Sequence, residues 1–178
     1  MAEIIKINRA PVLTLWAAVV AERLGFDWDE ALTFGRAVAG LNAYAKGVKL
    51  GLFTPAPERV REVRRKAAGR QLHVDLLGRA VPAVNTAEGM RALSKDRPIT
   101  PASVGRYLDS KFGPGLSAAS AAMRRLAKSR TPARLAKDGF HLYEQFRPHV
   151  PAGVTGWGAA GELDLSVIRG LSRRSKEP

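Results

Sequence analysis

The sequence predicts a mainly α fold, a compact multi-helix domain with one small β-hairpin near residues 72–84. Apolar residues recur at helical spacing through most of the chain, and proline or capping residues stand at the predicted helix starts. Alternation of apolar and polar residues is confined to one short central stretch. With 178 residues, 46% of them hydrophobic, the chain fits one helical domain over 1–171 and a flexible basic tail over 172–178.

The first predicted helix begins at Pro11, a residue suited to the first helical turn, and ends at Gly25. Its apolar stretch 11–21 has the length of a signal-peptide core. The charged residue Arg9 lies just before the stretch, however, and no small-residue cleavage site follows the stretch. The stretch is also shorter than the roughly 20 residues that span a bilayer. We therefore expect a cytoplasmic protein with no membrane contact.

The second predicted helix begins with a capping box, in which Asp27 and Glu30 satisfy the first backbone donors. A long apolar stripe follows and ends at Gly47. Gly35 and Ala39 lie on or beside that stripe, and their small size would let another helix approach closely.

The central segment predicts the hairpin. Residues 72–76 alternate as a strand does, Gly78 marks a turn, and 80–84 can return as a second strand. Pro82 has no N–H to donate, so it would confine the return strand to a sheet edge. Residues 86–93 are predicted to form a short helix capped by Thr86.

Four further helices are predicted beyond a loop at 94–98. Two start at Thr100 and Thr131, each followed by proline at the first helical position. Between them a helix over 116–129 follows a break at Gly113-Pro114-Gly115. Asp164 is predicted to cap the last, short helix.

The charge of the chain indicates its class of partner. Lys and Arg number 29 against 16 Asp and Glu, a net charge of +13, and residues 51–150 carry 19 of the basic side chains against 8 acidic ones. Such an excess repels itself unless a polyanion or salt compensates it. Clustered Lys and Arg are the electrostatic signature of nucleic-acid binding, so nucleic acid is the expected partner, with DNA favoured over RNA.

Few side chains indicate catalysis. The chain has no cysteine, which excludes disulfides, thiol catalysis and cysteine-ligated metals. No two of the three histidines stand at helical metal-ligand spacing, and no phosphate loop or nucleophile elbow is present. We predict no catalytic residue, no metal and no cofactor. An enzyme that clamps a phosphorylated substrate with arginines is the third hypothesis.

The first DNA-binding candidate covers residues 17–36. Ala21 and Gly25 have the spacing that helix-turn-helix motifs show at the end of the first helix and in the turn, and the segment resembles that motif. Residues 27–30, which begin the would-be recognition helix, include three acidic side chains that would repel phosphates. A core-forming helical hairpin is the favoured interpretation.

The second candidate is a basic helix over residues 57–68 with few apolar positions. Its cations could form two rows along phosphates, but Glu58 and Glu62 also suit a solvated surface helix, and the two interpretations are balanced. The cations in this helix are Arg59, Arg61, Arg64, Arg65 and Lys66.

The third candidate is a basic cluster that spans the Thr131-Pro132 helix start. Only Asp138 opposes these cations over the span, so phosphate binding is favoured over a purely structural role. The cluster comprises Arg124, Arg125, Lys128, Arg130, Arg134 and Lys137.

The leading hypothesis is a protein that binds duplex DNA through phosphate contacts with little sequence specificity. The aromatic residues fall on helical stripes and are expected in the core, which argues against stacking on unpaired bases. These residues are Tyr107, Phe140, Tyr143 and Phe146. The alternative is a basic protein–protein interaction module, or an oligomer formed through Trp16 and Val20 of the apolar first helix.

Overall fold

The fold is mainly α with a small β part, as predicted. The computed structural model describes residues 3–49, 72–150 and 161–174. Its helices are α1 (Arg9–Arg23), α2 (Trp28–Lys49), α3 (Pro101–Phe112), α4 (Leu116–Lys128), α5 (Pro132–Phe146) and α6 (Leu165–Arg174), with a 3-10 turn at Gly113–Gly115. None of the described helices is long and apolar enough to cross a membrane.

The strands form two antiparallel sheets. They are β1 (Ile4–Ile7), β2 (Leu72–Leu76), β3 (Arg79–Thr86), β4 (Gly89–Ser94), β5 (Arg97–Pro98) and β6 (Gly161–Asp164). β1 pairs with β6, and the other four strands form a sheet in the order β2-β3-β4-β5. The predicted hairpin is therefore present as β2 and β3, and the described residues add four strands that the sequence pattern did not indicate, namely β1, β4, β5 and β6.

The helical hairpin of α1 and α2 forms the centre of the core. Every residue of α1 from Pro11 to Ala21 is buried. Gly35 of α2 lies against the Thr14 carbonyl oxygen of α1, and a Cβ on Gly35 would stand 2.9 Å from the Ala18 nitrogen. The close approach predicted at Gly35 is thus confirmed.

Polar groups at the start of α2 cap the helix and also bind the sheet. The predicted capping box is present: Asp27 Oδ1 accepts from the Glu30 N–H at 2.8 Å, and Glu30 Oε1 accepts from the Asp27 N–H at 3.1 Å. Glu30 Oε2 accepts from the Met90 N–H of β4 at 2.9 Å, and Thr33 Oγ1 accepts from the Ala92 N–H at 3.0 Å. The first turns of α2 therefore satisfy donors along the side of β4 that β3 leaves open.

The prediction of a short helix over 86–93 is wrong, because Gly89–Ser94 forms β4. The Thr86 hydroxyl donates to the Gly89 carbonyl at 2.7 Å, so it closes a turn instead of capping a helix. Gly89 has a φ of +126°, which a right-handed helix does not allow. The hydrogen bonds of this segment with β3 and α2 favour a strand over the helix that its local sequence pattern suggests.

The prediction that β3 is an edge strand is also wrong, because β3 lies between β2 and β4. Pro82 pairs with His73 of β2, whereas the pairing with β4 runs only from Ala83 to Thr86. The missing N–H of Pro82 therefore interrupts no pairing with β4. The predicted loop at 94–98 is a tight turn with the two residues of β5.

The later helices begin where the sequence predicts. The Thr131 side chain accepts from the Arg134 N–H at the start of α5, and Asp164 Oδ1 accepts from the Ser166 N–H at 2.9 Å to cap α6. α6 continues to Arg174 with Ser172 buried, so the predicted flexible tail over 172–178 begins too early. The predicted helix over 57–68 lies outside the described residues.

Candidate nucleic-acid interface

α4 and α6 pack side by side with their last turns together. Met123 and Leu126 of α4 are fully buried, as is Ile168 of α6. Arg130, just after α4, donates from Nη1 to the Leu171 carbonyl of α6 at 3.0 Å. Because the apolar faces turn inward, the polar faces of both helices are left to line a surface cleft.

Four cations line this cleft, which has a volume of about 370 Å³ and which we call the α4–α6 cleft. Its lining residues are Arg125, Lys128, Ser129, Arg169, Ser172 and Arg173. The structure thus places Arg125 and Lys128, which the sequence analysis predicted to bind phosphate, beside Arg169 and Arg173, which it did not predict.

Arg169 and Arg173 were not predicted as site residues because they lie in a segment whose overall charge is nearly balanced. Their spacing in the sequence could have identified them. The two arginines stand four residues apart, and the buried Ile168 and Leu171 occupy another face of the same short helix. This spacing places both cations on one outward face, where residues four apart are neighbours.

Most of these cations have no acidic partner in the part of the chain that the structure describes. Arg125, Lys128 and Arg173 are exposed, and none of the three forms an ion pair within residues 3–49, 72–150 and 161–174. Arg169 is the exception, since its Nη2 lies 3.3 Å from Glu3 Oε2. Part of their structural role is to offset the partial negative charge at the two helix C-termini. The charged groups of Arg125, Lys128 and Arg173 are exposed and can also contact an anion.

Arg124 faces away from the cleft, although it precedes Arg125 directly. Its Nε lies 3.3 Å from Glu22 Oε1, and its guanidinium stands 4.6 Å from the centre of the Trp28 ring. The ion pair lacks hydrogen-bond geometry, because Nε has no hydrogen-bond partner within the described residues. Arg124 therefore joins α4 to the α1–α2 hairpin.

Arg130 is also committed to packing. Its Nη1 donates to Ser129 Oγ at 2.7 Å as well as to α6, and its own carbonyl accepts from Arg23 Nη2 at 3.1 Å. Burial lowers the pKa of the Arg130 guanidinium, and the nearby charge of Arg134 lowers it further. Arg130 holds the α4 terminus in place and contributes little to the open surface.

The two cations of α5 lie apart from each other. Arg134 is exposed, with Nε 4.0 Å from Asp138 Oδ2. Lys137 lines a second cleft, where α5 meets the β2–β3 turn. The six cations that appear as one cluster in sequence are therefore distributed over several surfaces, and only Arg125 and Lys128 share one.

The helix-turn-helix candidate at 17–36 lies in the α1–α2 hairpin, which packs as core. Trp16 is fully buried, and its indole Nε1 donates to the Gly139 carbonyl at 2.9 Å. Val20 is fully buried as well. The oligomer contact predicted at Trp16 and Val20 is wrong on this fold, because neither side chain reaches the surface.

The five cations of the second candidate lie outside the described residues; they are Arg59, Arg61, Arg64, Arg65 and Lys66. Across the described part of the chain, no three His, Asp or Glu side chains gather as a metal site. Comparison with protein-family models, curated proteins and solved structures finds no match to the chain.

Proposed function

We propose that this protein binds duplex DNA through phosphate contacts with little sequence specificity, and that the α4–α6 cleft is a main contact surface. The observation that carries the proposal is the convergence of four cations from two helices on one open cleft. Of these four cations, only Arg169 has an acidic partner among the described residues.

The chemistry of the cleft suits a phosphodiester backbone. Arg125, Arg169 and Arg173 offer planar guanidinium groups, which bind phosphate oxygens through paired N–H donors. Lys128 adds a point charge. Each phosphate neutralised on a duplex releases condensed counterions, so such binding weakens steeply as salt rises.

The lining also favours a duplex over unpaired bases and binding over catalysis. No aromatic side chain is among the described residues that line the cleft, so an unpaired base would find no stacking partner among them. Among the described lining residues there is no histidine or carboxylate to transfer a proton during catalysis. An acidic protein could bind the same cations, and polyglutamate is the probe that distinguishes such a partner from DNA.

The test is binding to a labelled random-sequence DNA duplex at increasing salt, with an RNA duplex in parallel. The triple variant Arg125→Ala/Lys128→Ala/Arg173→Ala should lose about 2.7 from the slope of log affinity against log salt, at about 0.9 per phosphate contact. The control variant Arg97→Ala/Arg106→Ala/Lys111→Ala removes the same charge from exposed positions outside the cleft. It should retain a nearly normal slope.

Two results would contradict the proposal. Equal losses in the two triple variants would mean that net charge acts without a defined contact surface. Absence of duplex binding by the wild-type protein at low salt, with binding to an acidic polypeptide such as polyglutamate, would assign the basic surface to protein recognition instead.

A further inference from the structure

The second cleft lies where the β2–β3 turn meets α5, and we call it the turn cleft. It has a volume of about 360 Å³ and is lined by Leu77, Gly78, Arg79, Ala136, Lys137 and Phe140. This volume is at the small end of the range for ligand sites, about 300 to 1,000 Å³. It suits one small ligand or one unit of a polymer.

The backbone of the turn is held in an unusual conformation. Leu77 and Gly78 have φ angles of +50° and +78°, the left-handed pair that a tight hairpin turn requires. Glycine or asparagine is the usual residue at such positions, whereas a leucine there is strained. Backbone strain of this kind concentrates at ligand sites, and the surrounding packing must support it.

That packing is the contact between Leu77 and α5. Leu77 is buried, and its Cδ2 would stand 2.5 Å from a Cβ placed on Gly139. The absence of a side chain at Gly139 therefore admits the leucine and seats the turn on the helix. The seated turn brings Arg79, the next residue after it, to the same cleft as Lys137.

The two cations and an aromatic side chain form one lining. Arg79 Nη2 donates to Asn42 Oδ1 of α2 at 3.1 Å, which orients the guanidinium. Phe140, predicted to be core, is only half-buried, packs with its ring centre 5.7 Å from that of Tyr143, and lines the cleft one helical turn beyond Lys137. No carboxylate is among the described lining residues.

We propose that the turn cleft binds one nucleotide unit, with its phosphate between Arg79 and Lys137 and its base on Phe140. Cations beside an aromatic ring are the combination by which proteins hold unpaired nucleotides. A paired base in a duplex is stacked and unavailable, so the ligand is either a free nucleotide or an unpaired nucleotide of a strand. This site goes beyond the duplex contact proposed for the α4–α6 cleft and does not depend on it.

The experiment is calorimetric titration of the full chain with adenosine monophosphate, adenosine, inorganic phosphate and a six-residue oligodeoxyadenylate. Adenosine monophosphate or the oligonucleotide should bind at least about tenfold more tightly than phosphate alone, since one stacked base contributes about this factor. Either should also bind more tightly than adenosine, which lacks the phosphate that Arg79 and Lys137 would hold. Tighter binding of the oligonucleotide identifies a strand as the source. Tighter binding of the mononucleotide identifies a free nucleotide.

Variants assign the binding to this cleft. Phe140→Leu keeps an apolar side chain against Tyr143 and should weaken nucleotide binding about tenfold by removing the stacking face. Lys137→Gln, at an exposed position outside the core, should weaken it several-fold. Arg134→Gln removes the same charge from α5 outside the cleft and should leave nucleotide affinity unchanged.

The proposal is overturned if no nucleotide binds at millimolar concentration, or if both Phe140→Leu and Lys137→Gln bind nucleotide as the wild type does. Failure of the duplex proposal is distinguishable from this result. The variant Arg125→Ala/Lys128→Ala/Arg173→Ala should bind adenosine monophosphate normally, and Phe140→Leu should bind duplex DNA with an unchanged salt slope.

Discussion

The α1–α2 hairpin and the α4–α6 pair are both two-helix units that include a sequence candidate for DNA binding, yet their surfaces differ. The hairpin uses its faces for packing: α1 is buried from Pro11 to Ala21, and the start of α2 binds β4. The α4–α6 pair buries one face and turns four cations outward. The hairpin has the spacing of a helix-turn-helix motif, but the exposed cations lie on the α4–α6 pair.

The difference shows how the placement of charge depends on packing. In the hairpin, Asp27 and Glu30 begin α2 and satisfy its first donors, so the end that would approach a phosphate is negative. In the other pair, Arg125, Lys128 and Arg173 occupy last turns, where cations suit the helix dipole and also meet solvent. Local helix electrostatics therefore opposes DNA binding in one unit and supports it in the other.

The largest effect is expected from breaking the close contact within the hairpin. Gly35→Ala would place a Cβ against the backbone of Thr14 and Ala18, which cannot rotate away. The helices must separate, and we expect the free energy of unfolding to fall by about 3 kcal/mol, at the upper end for overpacking. Chemical denaturation monitored by circular dichroism measures the change.

Gly40→Ala is the matched control in the same helix. Its Cβ would meet nothing within 4 Å, and alanine is the better helix former, so stability should rise by up to about 1 kcal/mol. If Gly35→Ala is tolerated as well as Gly40→Ala, the hairpin is not the close-packed unit described here, and the contrast with the α4–α6 pair is lost.

The sequence predicts the helices well because their signals are local. Periodicity, proline and capping residues locate α1, α2, α5 and α6 without knowledge of their neighbours. The strands that were not predicted depend on distant partners. Two N–H groups of β4 donate to side chains of α2, and β1 pairs with a segment more than 150 residues away. The local periodicity of one sequence does not indicate which distant segments pair.

The candidate site could be predicted only in part, for a related reason. Consecutive residues on a helix point about 100° apart, so Arg124 and Arg125 face different surfaces despite their adjacency. Arg169 enters the α4–α6 cleft from a distant segment, and Phe140 is half-buried where α5 lines the turn cleft. Sequence gives the number of cations, whereas the packing of helices decides which of them lie together.

A smaller effect is expected from the acidic neighbour of the cleft. Glu3→Gln removes the ion pair with Arg169 and frees that guanidinium for phosphate. Exposed ion pairs contribute up to about 1 kcal/mol, so duplex affinity at low salt should rise about threefold. Titration of a labelled duplex measures the change.

Glu162→Gln serves as the control for that prediction. Glu162 is exposed on β6, which pairs with the strand that follows Glu3, and its side chain forms no ion pair within the described residues. A similar rise in both variants would mean that net charge, and not the Glu3–Arg169 ion pair, limits the affinity of the cleft for DNA.

The adjacent arginines 124 and 125 test most directly whether packing selects the cations that bind DNA, because Arg124 contacts the α1–α2 hairpin whereas Arg125 lines the α4–α6 cleft. Arg124→Ala and Arg125→Ala are compared in two measurements, the free energy of unfolding and the slope of log duplex affinity against log salt. Arg124→Ala should lower stability by about 1 kcal/mol through loss of the contacts with Glu22 and Trp28, and leave the slope unchanged. Arg125→Ala should leave stability nearly unchanged and reduce the slope by about 0.9. The reverse assignment, or equal effects of the two variants on the slope, would contradict the claim that packing selects which cations meet the nucleic acid.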